Sequence, residues 1–193
     1  MKIGSIFAVV KIGENLFSIQ YEDTASHIFE ELFDNWTDVE YLFKFFNNNQ
    51  EYLHQPFWES LYHEKISVTK ALEITLDLAE KMEDFIIKYA DSGANSNYLS
   101  RIFYPLVNDN VFHKPLKSAY KAYGPNKTSW LRVYAIKIED NYIITGGAIK
   151  LTKTMQESPN TQQELARLQS VASELKRLHF TDNSDFDFVY LEI

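Results

Sequence analysis

The sequence predicts an α+β protein in which a small antiparallel sheet packs against several helices. Three observations favour this class: two short apolar runs around a turn near the N-terminus, one long apolar stripe at helical spacing, and a strand-turn-strand pattern in residues 130–151. Side chains alternate with a period of two in strands and 3.6 in helices, so the two patterns separate the elements. A chain of 193 residues can form one domain. We expect residues 1–95 to be an acidic hairpin-and-helix part and residues 96–193 a basic hairpin-and-helix core.

The acidic part is predicted to begin with a hairpin, because the runs IFAVVKI and LFSIQYE flank the turn residues Gly-Glu-Asn. A first helix follows from Thr24. Thr37 with Glu40 matches a capping box for a second helix, which should end in the three asparagines after Phe46. Residues 50–66 show no sustained period and are expected to form a connecting segment held by aromatic side chains.

The longest predicted helix is defined by an apolar stripe with steps of three or four residues over roughly six turns. The stripe consists of Val68, Leu72, Leu76, Ala79, Met82, Ile86 and Tyr89. Residues 91–97 are rich in turn formers and should separate the acidic part from the basic core.

The basic core is predicted to contain a second hairpin and a final helix. In the first strand, one face is expected to carry Trp130, Arg132, Tyr134, Ile136 and Ile138. In the second strand, the glycine pair Gly146 and Gly147 indicates a bulge or a close approach. Thr161 with Glu164 matches another capping box, and the last helix should turn Leu165, Leu168, Ala172 and Leu175 inward. The terminal run FDFVYLEI predicts an edge strand.

The charge is divided unevenly along the chain. Residues 1–100 hold 7 lysines and no arginine against 17 acidic residues, residues 101–181 hold 12 basic against 6 acidic residues, and the tail from Asp182 adds four acidic residues. A net charge of −8 repels a polyanion at long range, whereas the basic centre can attract one. These charges are also compatible with ordinary solvated faces.

Several classes of site are excluded by residue content. The absence of cysteine removes disulfides, thiolate nucleophiles and cysteine zinc sites, and fits the cytoplasm. His54 and His63 are too far apart for a helical metal pair, and neither a phosphate-cradling glycine loop nor a nucleophile elbow is present. We therefore expect no metal and no cofactor. The apolar run near the N-terminus is interrupted by Lys11 and Glu14, so we expect no membrane segment.

Three short motifs in residues 112–176 resemble the RelE and HigB superfamily of bacterial toxins, especially its phage-derived HigB-like branch. They are Lys114, Pro115 and Leu116; Arg132 and Tyr134 in LRVYAI; and Lys150, Thr152, Lys153 and Thr154 in AIKLTKT. The resemblance implies a metal-independent endoribonuclease that cleaves mRNA at the ribosome, with an antitoxin protein as partner. It also implies that Lys150, Lys153 and Arg132 bind or stabilise phosphate, and that Tyr134 or His179 transfers a proton.

A second set of residues interleaves aromatic and basic side chains, as single-strand binders do. This expected substrate-binding set consists of Lys114, Lys117, Lys121, Lys127, Tyr120 and Tyr123. Each residue also has an ordinary explanation: Tyr134 can belong to the core, and strand-end lysines are commonly solvated. In a regular strand Lys150 and Lys153 point to opposite faces, so a joint role requires a bend between them.

A noncatalytic interaction module is the competing function. Residues 1–62 hold fourteen aromatic residues, more than a two-helix segment needs for its own core. An antitoxin, a second copy of the chain or another host or phage protein can bind such a surface. If the chain does bind RNA, the acidic front can shield the basic surface, which would reconcile the charge distribution with that function.

Overall fold

The computed structural model describes residues 6–92, 98–106 and 118–180, and these form an α+β structure as predicted. Lys114, Lys117, the Lys-Pro-Leu motif and the predicted edge strand FDFVYLEI lie outside the described residues. The strands are β1 (Ile6–Gly13), β2 (Leu16–Tyr21), β3 (Phe103–Pro105), β4 (Ala119–Ala122), β5 (Leu131–Ile138) and β6 (Asn141–Ile149). The helices are α1 (Ile28–Thr37), α2 (Val39–Asn48), α3 (Gln50–Leu53), α4 (Pro56–Tyr62), α5 (Val68–Ala90) and α6 (Pro159–Arg177), with 3-10 turns at Leu99–Arg101 and Met155–Glu157.

Strands from the acidic part and from the basic core form one sheet. Its order is β1-β2-β6-β5-β4-β3. The predicted hairpins are β1-β2 and β5-β6, and they are joined by a short parallel pairing in which Leu16 lies opposite Tyr142 and Ser18 opposite Ile144. The sheet is therefore mixed, with this one parallel pairing among antiparallel neighbours.

Helices cover both faces of the sheet, as the glycine pair of β6 shows. A Cβ atom placed on Gly146 would lie against Glu164 of α6, whereas one on Gly147 would lie against Leu32 of α1. Adjacent strand residues point to opposite faces, so α1 and α6 pack on opposite sides. We call the side of α6 the α6 face; it carries a small cluster made by Leu106, Ala119, Tyr134, Ala148, Met155, Leu165 and Leu168. The main core lies with α1, α2 and α5.

The first hairpin turn and the end of α2 follow the sequence expectation. Asn15 has φ of 58°, a conformation that asparagine tolerates better than most residues. Helix α2 ends at Asn48 with Asn49 as its cap. Residues 50–66, however, contain the short helices α3 and α4 rather than only a connecting segment.

Both predicted capping boxes are wrong by a few residues. Asp38 caps α2 by accepting a hydrogen bond from Tyr41 N at 2.9 Å, while the Thr37 hydroxyl donates to Phe33 O in the preceding helix. Helix α6 begins at Pro159, so Thr161 already lies inside it and donates to Met155 O at 2.6 Å. The capping box of this region is formed by Thr154 with Glu157.

In the first half of α5 the buried stripe is rotated toward smaller side chains than the sequence indicated, whereas Ala79, Met82 and Ile86 are buried as predicted. Ala71, Thr75 and Leu78 are buried, whereas the predicted Leu72 and Leu76 are only partly buried. The cause is Trp130, which needs close access to the helix and donates its indole N–H to Thr75 Oγ1 at 3.0 Å. Trp130 was predicted to share a face with Tyr134, and this prediction is wrong. Trp130 precedes β5 and packs in the main core, whereas Tyr134 belongs to the cluster on the α6 face.

Candidate nucleic-acid interface

Three cationic side chains converge on the α6 face near the end of β6. Lys121 of β4 lies opposite Tyr134 of β5, and directly opposed residues of antiparallel strands share a face. Arg132 lies two residues before Tyr134 and opposite Ala148. Lys150 follows β6 two residues after Ala148. The alternation of side chains therefore brings Lys121 and Arg132 to the same face as α6, and both charges lie close enough to Lys150 to lower its pKa.

Arg132 is held by a tyrosine ring and by backbone carbonyls. Its guanidinium carbon lies 4.3 Å from the ring centroid of Tyr123, which is cation–π distance. Its Nη1 atom donates to Leu131 O at 2.6 Å and also to Ser129 O. Burial lowers the pKa of Arg132, but a guanidinium stays protonated in proteins. The residue is thus a fixed positive charge.

Lys150 is tied to the loop that follows β6. Its Nζ atom donates to Thr152 O at 2.5 Å and to Lys153 O at 2.6 Å. Burial, together with the neighbouring charges of Arg132 and Lys121, lowers the pKa of Lys150 to about 8. An ammonium has three donors, so two carbonyls leave one for a ligand. At neutral pH Lys150 is therefore mostly charged, with a minor neutral fraction.

Aromatic rings surround these cations. Lys121 Nζ lies 5.5 Å from the ring centroid of Tyr123. Tyr104 of β3 stands opposite Lys121, with its ring centroid 5.8 Å from that of Tyr123. Lys127 Nζ lies 4.8 Å from the Tyr104 ring. We use the name cationic cluster for Tyr104, Lys121, Tyr123, Lys127, Arg132 and Lys150.

The cluster carries unneutralised positive charge. Within residues 6–92, 98–106 and 118–180, no ion pair involves any of its lysines or its arginine. Glu157 is the acidic group that raises the pKa of Lys150, and its carboxylate is engaged with the Thr154 hydroxyl at 2.8 Å. A group of cations without ion pairs beside half-buried aromatic rings is suited to bind a phosphate and a ring together.

The acidic helices do not cover the cationic cluster. Helices α1, α2 and α5 pack with the main core, on the side of the sheet away from α6. The expectation that the acidic front shields the basic surface is therefore wrong for these helices.

Two proposed proton-transfer residues are separated from the cluster in different ways. Tyr134 is buried under α6, where its hydroxyl lies 3.6 Å from Met155 Sδ, and burial raises its pKa. A phenol with that pKa and no access to water is a poor acid or base, so Tyr134 belongs to the core. His179 is exposed just beyond the C-terminal end of α6, roughly 27 Å along the helix from the end beside Lys150, at ~1.5 Å per residue.

The remaining predicted residues divide between the two faces. Lys153 is exposed, and its carbonyl accepts from Lys150, so the chain bends between the two lysines as their joint role requires. Tyr120 points away from the cluster and packs edge-on against Tyr142 at 5.5 Å. Its neighbour there is Lys137, whose Nζ atom lies 5.2 Å from the Tyr142 ring. Tyr120 is thus not part of the cationic cluster.

Sequence reasoning missed two features of the site. Tyr104 joins the cluster because β3 pairs with β4, a pairing of strands separated by residues 106–118. Glu164 was expected to cap α6, but its carboxylate lies over the Gly146-Gly147 pair, accepts a hydrogen bond from Gly147 N–H and pairs with Arg167 at 3.1 Å. The glycine pair was the available signal, since it predicted a close approach.

No protein-family model, curated protein or solved structure matches this chain. In the described part of the chain, no group of three or more histidine and acidic side chains is arranged to hold a metal ion. Among the same residues, no helix combines the length and the apolar character needed to cross a membrane.

Proposed function

We propose that the chain is a RelE/HigB-like toxin that binds mRNA on the cationic cluster and cleaves it without a metal ion, acting at the ribosome. The observation that carries this proposal is that Arg132 and Lys121 share the Tyr123 ring and lie close enough to Lys150 to lower its pKa, while none of the three forms an ion pair within the described residues. Two of these residues belong to the motifs that resemble the toxin superfamily, which supports the family assignment.

The chemical roles that RNA cleavage requires can be assigned to residues of the cluster and of the loop after β6. Cleavage at a ribose requires a base near the 2′-hydroxyl, donors for the developing charge on phosphorus, and an acid for the leaving oxygen. Arg132 and Lys121 supply fixed positive charge for the phosphate. Neutral Lys150 takes the proton of the 2′-hydroxyl as the 2′-oxygen bonds to phosphorus. The ammonium so formed gives this proton to the 5′-oxygen as the bond between phosphorus and that oxygen breaks, and a pKa of about 8 makes both protonation states accessible. Lys153, at the exposed loop, contacts the adjoining phosphate.

Induced expression tests the proposal with matched variants. We expect the wild type to arrest growth and the double change Lys150→Ala with Lys153→Ala to relieve the arrest. The control double change Lys44→Ala with Lys65→Ala removes two exposed lysines of the acidic part, and the growth arrest should persist. The growth arrest should also persist in Tyr134→Phe, because the Tyr134 hydroxyl lies in the core. Purified wild type should cleave ribosome-bound mRNA in the presence of EDTA. A harmless wild type that also leaves this RNA intact contradicts the proposal.

The competing function is a noncatalytic interaction module, and one surface favours it. Val39 and Phe43 lie one turn apart on α2 and are 57% and 54% exposed. Apolar side chains at such spacing are typical of a docking face for an antitoxin or a second copy of the chain. Sedimentation of the wild type against Val39→Ser with Phe43→Ser tests self-association: a dimer that the double change dissociates supports this function.

A further inference from the structure

A cleft of about 160 Å³ opens beside β6, on the other side of that strand from the cationic cluster. Helices α1 and α2 supply one wall with Trp36, Tyr41 and Phe45, and the first turns of α6 supply the other with Asn160, Gln163 and Glu164. Pockets for drug-sized ligands measure ~300–1,000 Å³, so this cleft suits a single small ring system.

The floor of the cleft is a strand edge that directs backbone N–H and C=O groups into it. Strand β2 accompanies β6 only as far as Ile144, so among the described residues no strand pairs with the later part of β6 on that side. Lys150 N donates to Trp130 O, so by the alternation of antiparallel pairs Gly147 and Ile149 direct their N–H and C=O groups toward the open edge. The hydrogen bond from Gly147 N–H to Glu164 agrees with this assignment.

Aromatic rings form the mouth and the deep wall. Tyr41 is 40% exposed, and its ring is nearly parallel to that of Phe45, with 20° between the planes and 6.4 Å between the centroids. Trp36 is buried. A flat ring entering the cleft therefore meets an aromatic surface on one side and amide and carboxyl groups on the other.

The lining rules out several kinds of ligand. It contains no lysine, arginine or histidine, which disfavours a phosphate or a carboxylate. Glu164 is its one carboxylate, which disfavours a metal ion. Two side-chain amides at the α6 wall disfavour a purely aliphatic ligand. A neutral, planar ring with both donors and acceptors on its edge satisfies all of these groups.

We propose that this cleft binds one nucleobase, which reaches it either in a free nucleoside or in a single-stranded RNA. Tyr41 stacks on the base, while Asn160, Gln163 and the edge of β6 contact its donors and acceptors. Amides and carboxylates read base edges, and aromatic rings stack on bases of unpaired RNA. The proposal stands without RNA cleavage, because the cleft and the cationic cluster share no side chain.

Isothermal titration calorimetry tests the site with adenosine, guanosine, cytidine and uridine, and with ribose as the ligand control. We expect at least one nucleoside to bind with a Kd below roughly 1 mM, and ribose not to bind. Tyr41→Ala should weaken the binding about fivefold to a hundredfold, the range given by one stacking contact. Phe43→Ala, on the same helix but outside the cleft, should leave the binding unchanged.

A second arm uses a short single-stranded RNA and separates the two sources. If free nucleosides do not bind but the RNA binds, and Tyr41→Ala weakens RNA binding while Phe43→Ala does not, the base enters as part of RNA. Circular dichroism tests whether Tyr41→Ala is folded. If Tyr41→Ala is unfolded, Tyr41→Phe serves as the second variant: it keeps the ring and should therefore retain binding. The proposal is overturned if no nucleoside binds and Tyr41→Ala leaves the affinity for RNA unchanged. It is also overturned if the cleft binds an extended peptide and no base.

Discussion

The indole N–H of Trp58 donates a hydrogen bond to the carbonyl of Leu151 at 2.8 Å, across 93 residues of sequence. This bond fastens α4 of the acidic part to the loop that carries Lys150 and Lys153. The same indole meets Trp130 edge-on, with ring centroids 5.3 Å apart. The acidic part therefore stabilises the position of the loop that carries Lys150 and Lys153.

Replacing Trp58 with phenylalanine should destabilise the fold and loosen this loop. The change leaves Leu151 O without its donor in a buried position, which costs about 1–3 kcal/mol in the free energy of unfolding, with a smaller addition from lost volume. Urea unfolding measures it. Phe43→Ala, at a side chain 54% exposed, is the control and should stay within about 0.5 kcal/mol. Equal stability of the two variants would show that the Trp58 bond contributes nothing.

Local patterns predicted the elements of this fold better than their ends. The period of two predicted both hairpins, and the helical period predicted α5, because each pattern reflects one buried face. The predicted cap of α2 was wrong because two adjacent residues, Thr37 and Asp38, can both accept a hydrogen bond at a helix start. Which of them caps α2 depends on where the chain turns between α1 and α2. The parallel joining of β2 to β6 has no local signal, since it pairs strands more than a hundred residues apart.

The site was predictable where it followed a strand and not where it depended on strand order. Arg132 and Lys150 lie at the end of the predicted hairpin, and the structure brings them together. Tyr134 was misjudged as a reacting group because the sequence does not show that α6 covers it. Tyr104 and the Glu164 contact with the glycine pair depend on which strand and helix become neighbours, and residue spacing carries no such information.

Arg132→Lys should weaken RNA binding although it keeps the charge. Lysine lacks the planar fork with which a guanidinium held on the Tyr123 ring can donate two hydrogen bonds to one phosphate, so the variant loses one charge-assisted hydrogen bond, about tenfold in affinity. Fluorescence anisotropy with a labelled single-stranded RNA measures the change. The salt dependence should stay nearly constant, because the number of phosphate contacts is kept. Arg177→Lys, at the exposed end of α6, is the control; an equal loss there would rule out a specific role for Arg132.

Glu164 should make the fold less stable as the pH rises from about 4.5 to about 7. Burial raises the pKa of this carboxyl from 4.5 to about 7, against the opposite influence of Arg167 and the Gly147 N–H. Between these values the folded chain holds a proton that the unfolded chain has lost, so the free energy of unfolding decreases with pH, by about 3 kcal/mol at most. About one pH unit above the folded-state pKa the loss is nearly complete, and beyond that it is constant.

Glu164→Gln should abolish that pH dependence, because an amide does not titrate. Its stability relative to the wild type should therefore increase between pH 5 and pH 8, as measured by urea unfolding at each pH. Glu174→Gln, on the same helix, is the control: the hydrogen bond from Arg177 lowers the pKa of Glu174, so it cannot cause a loss of stability in this direction. If both variants keep the wild-type slope, Glu164 is not the group responsible.

Lys150 should make RNA affinity decrease as the pH rises above about 8. Below that value the ammonium is charged and contacts phosphate; above it the amine is neutral, since burial and the charges of Arg132 and Lys121 lower the pKa of Lys150 to about 8. Losing one charged hydrogen bond corresponds to about tenfold in Kd. Phosphate itself favours the ammonium, so the midpoint in the complex should lie above the midpoint in the free protein. Anisotropy titrations from pH 6.5 to 9.5 follow it. Lys150→Arg keeps its charge throughout and should show constant affinity; a decrease identical to that of the wild type would assign the titration to another residue.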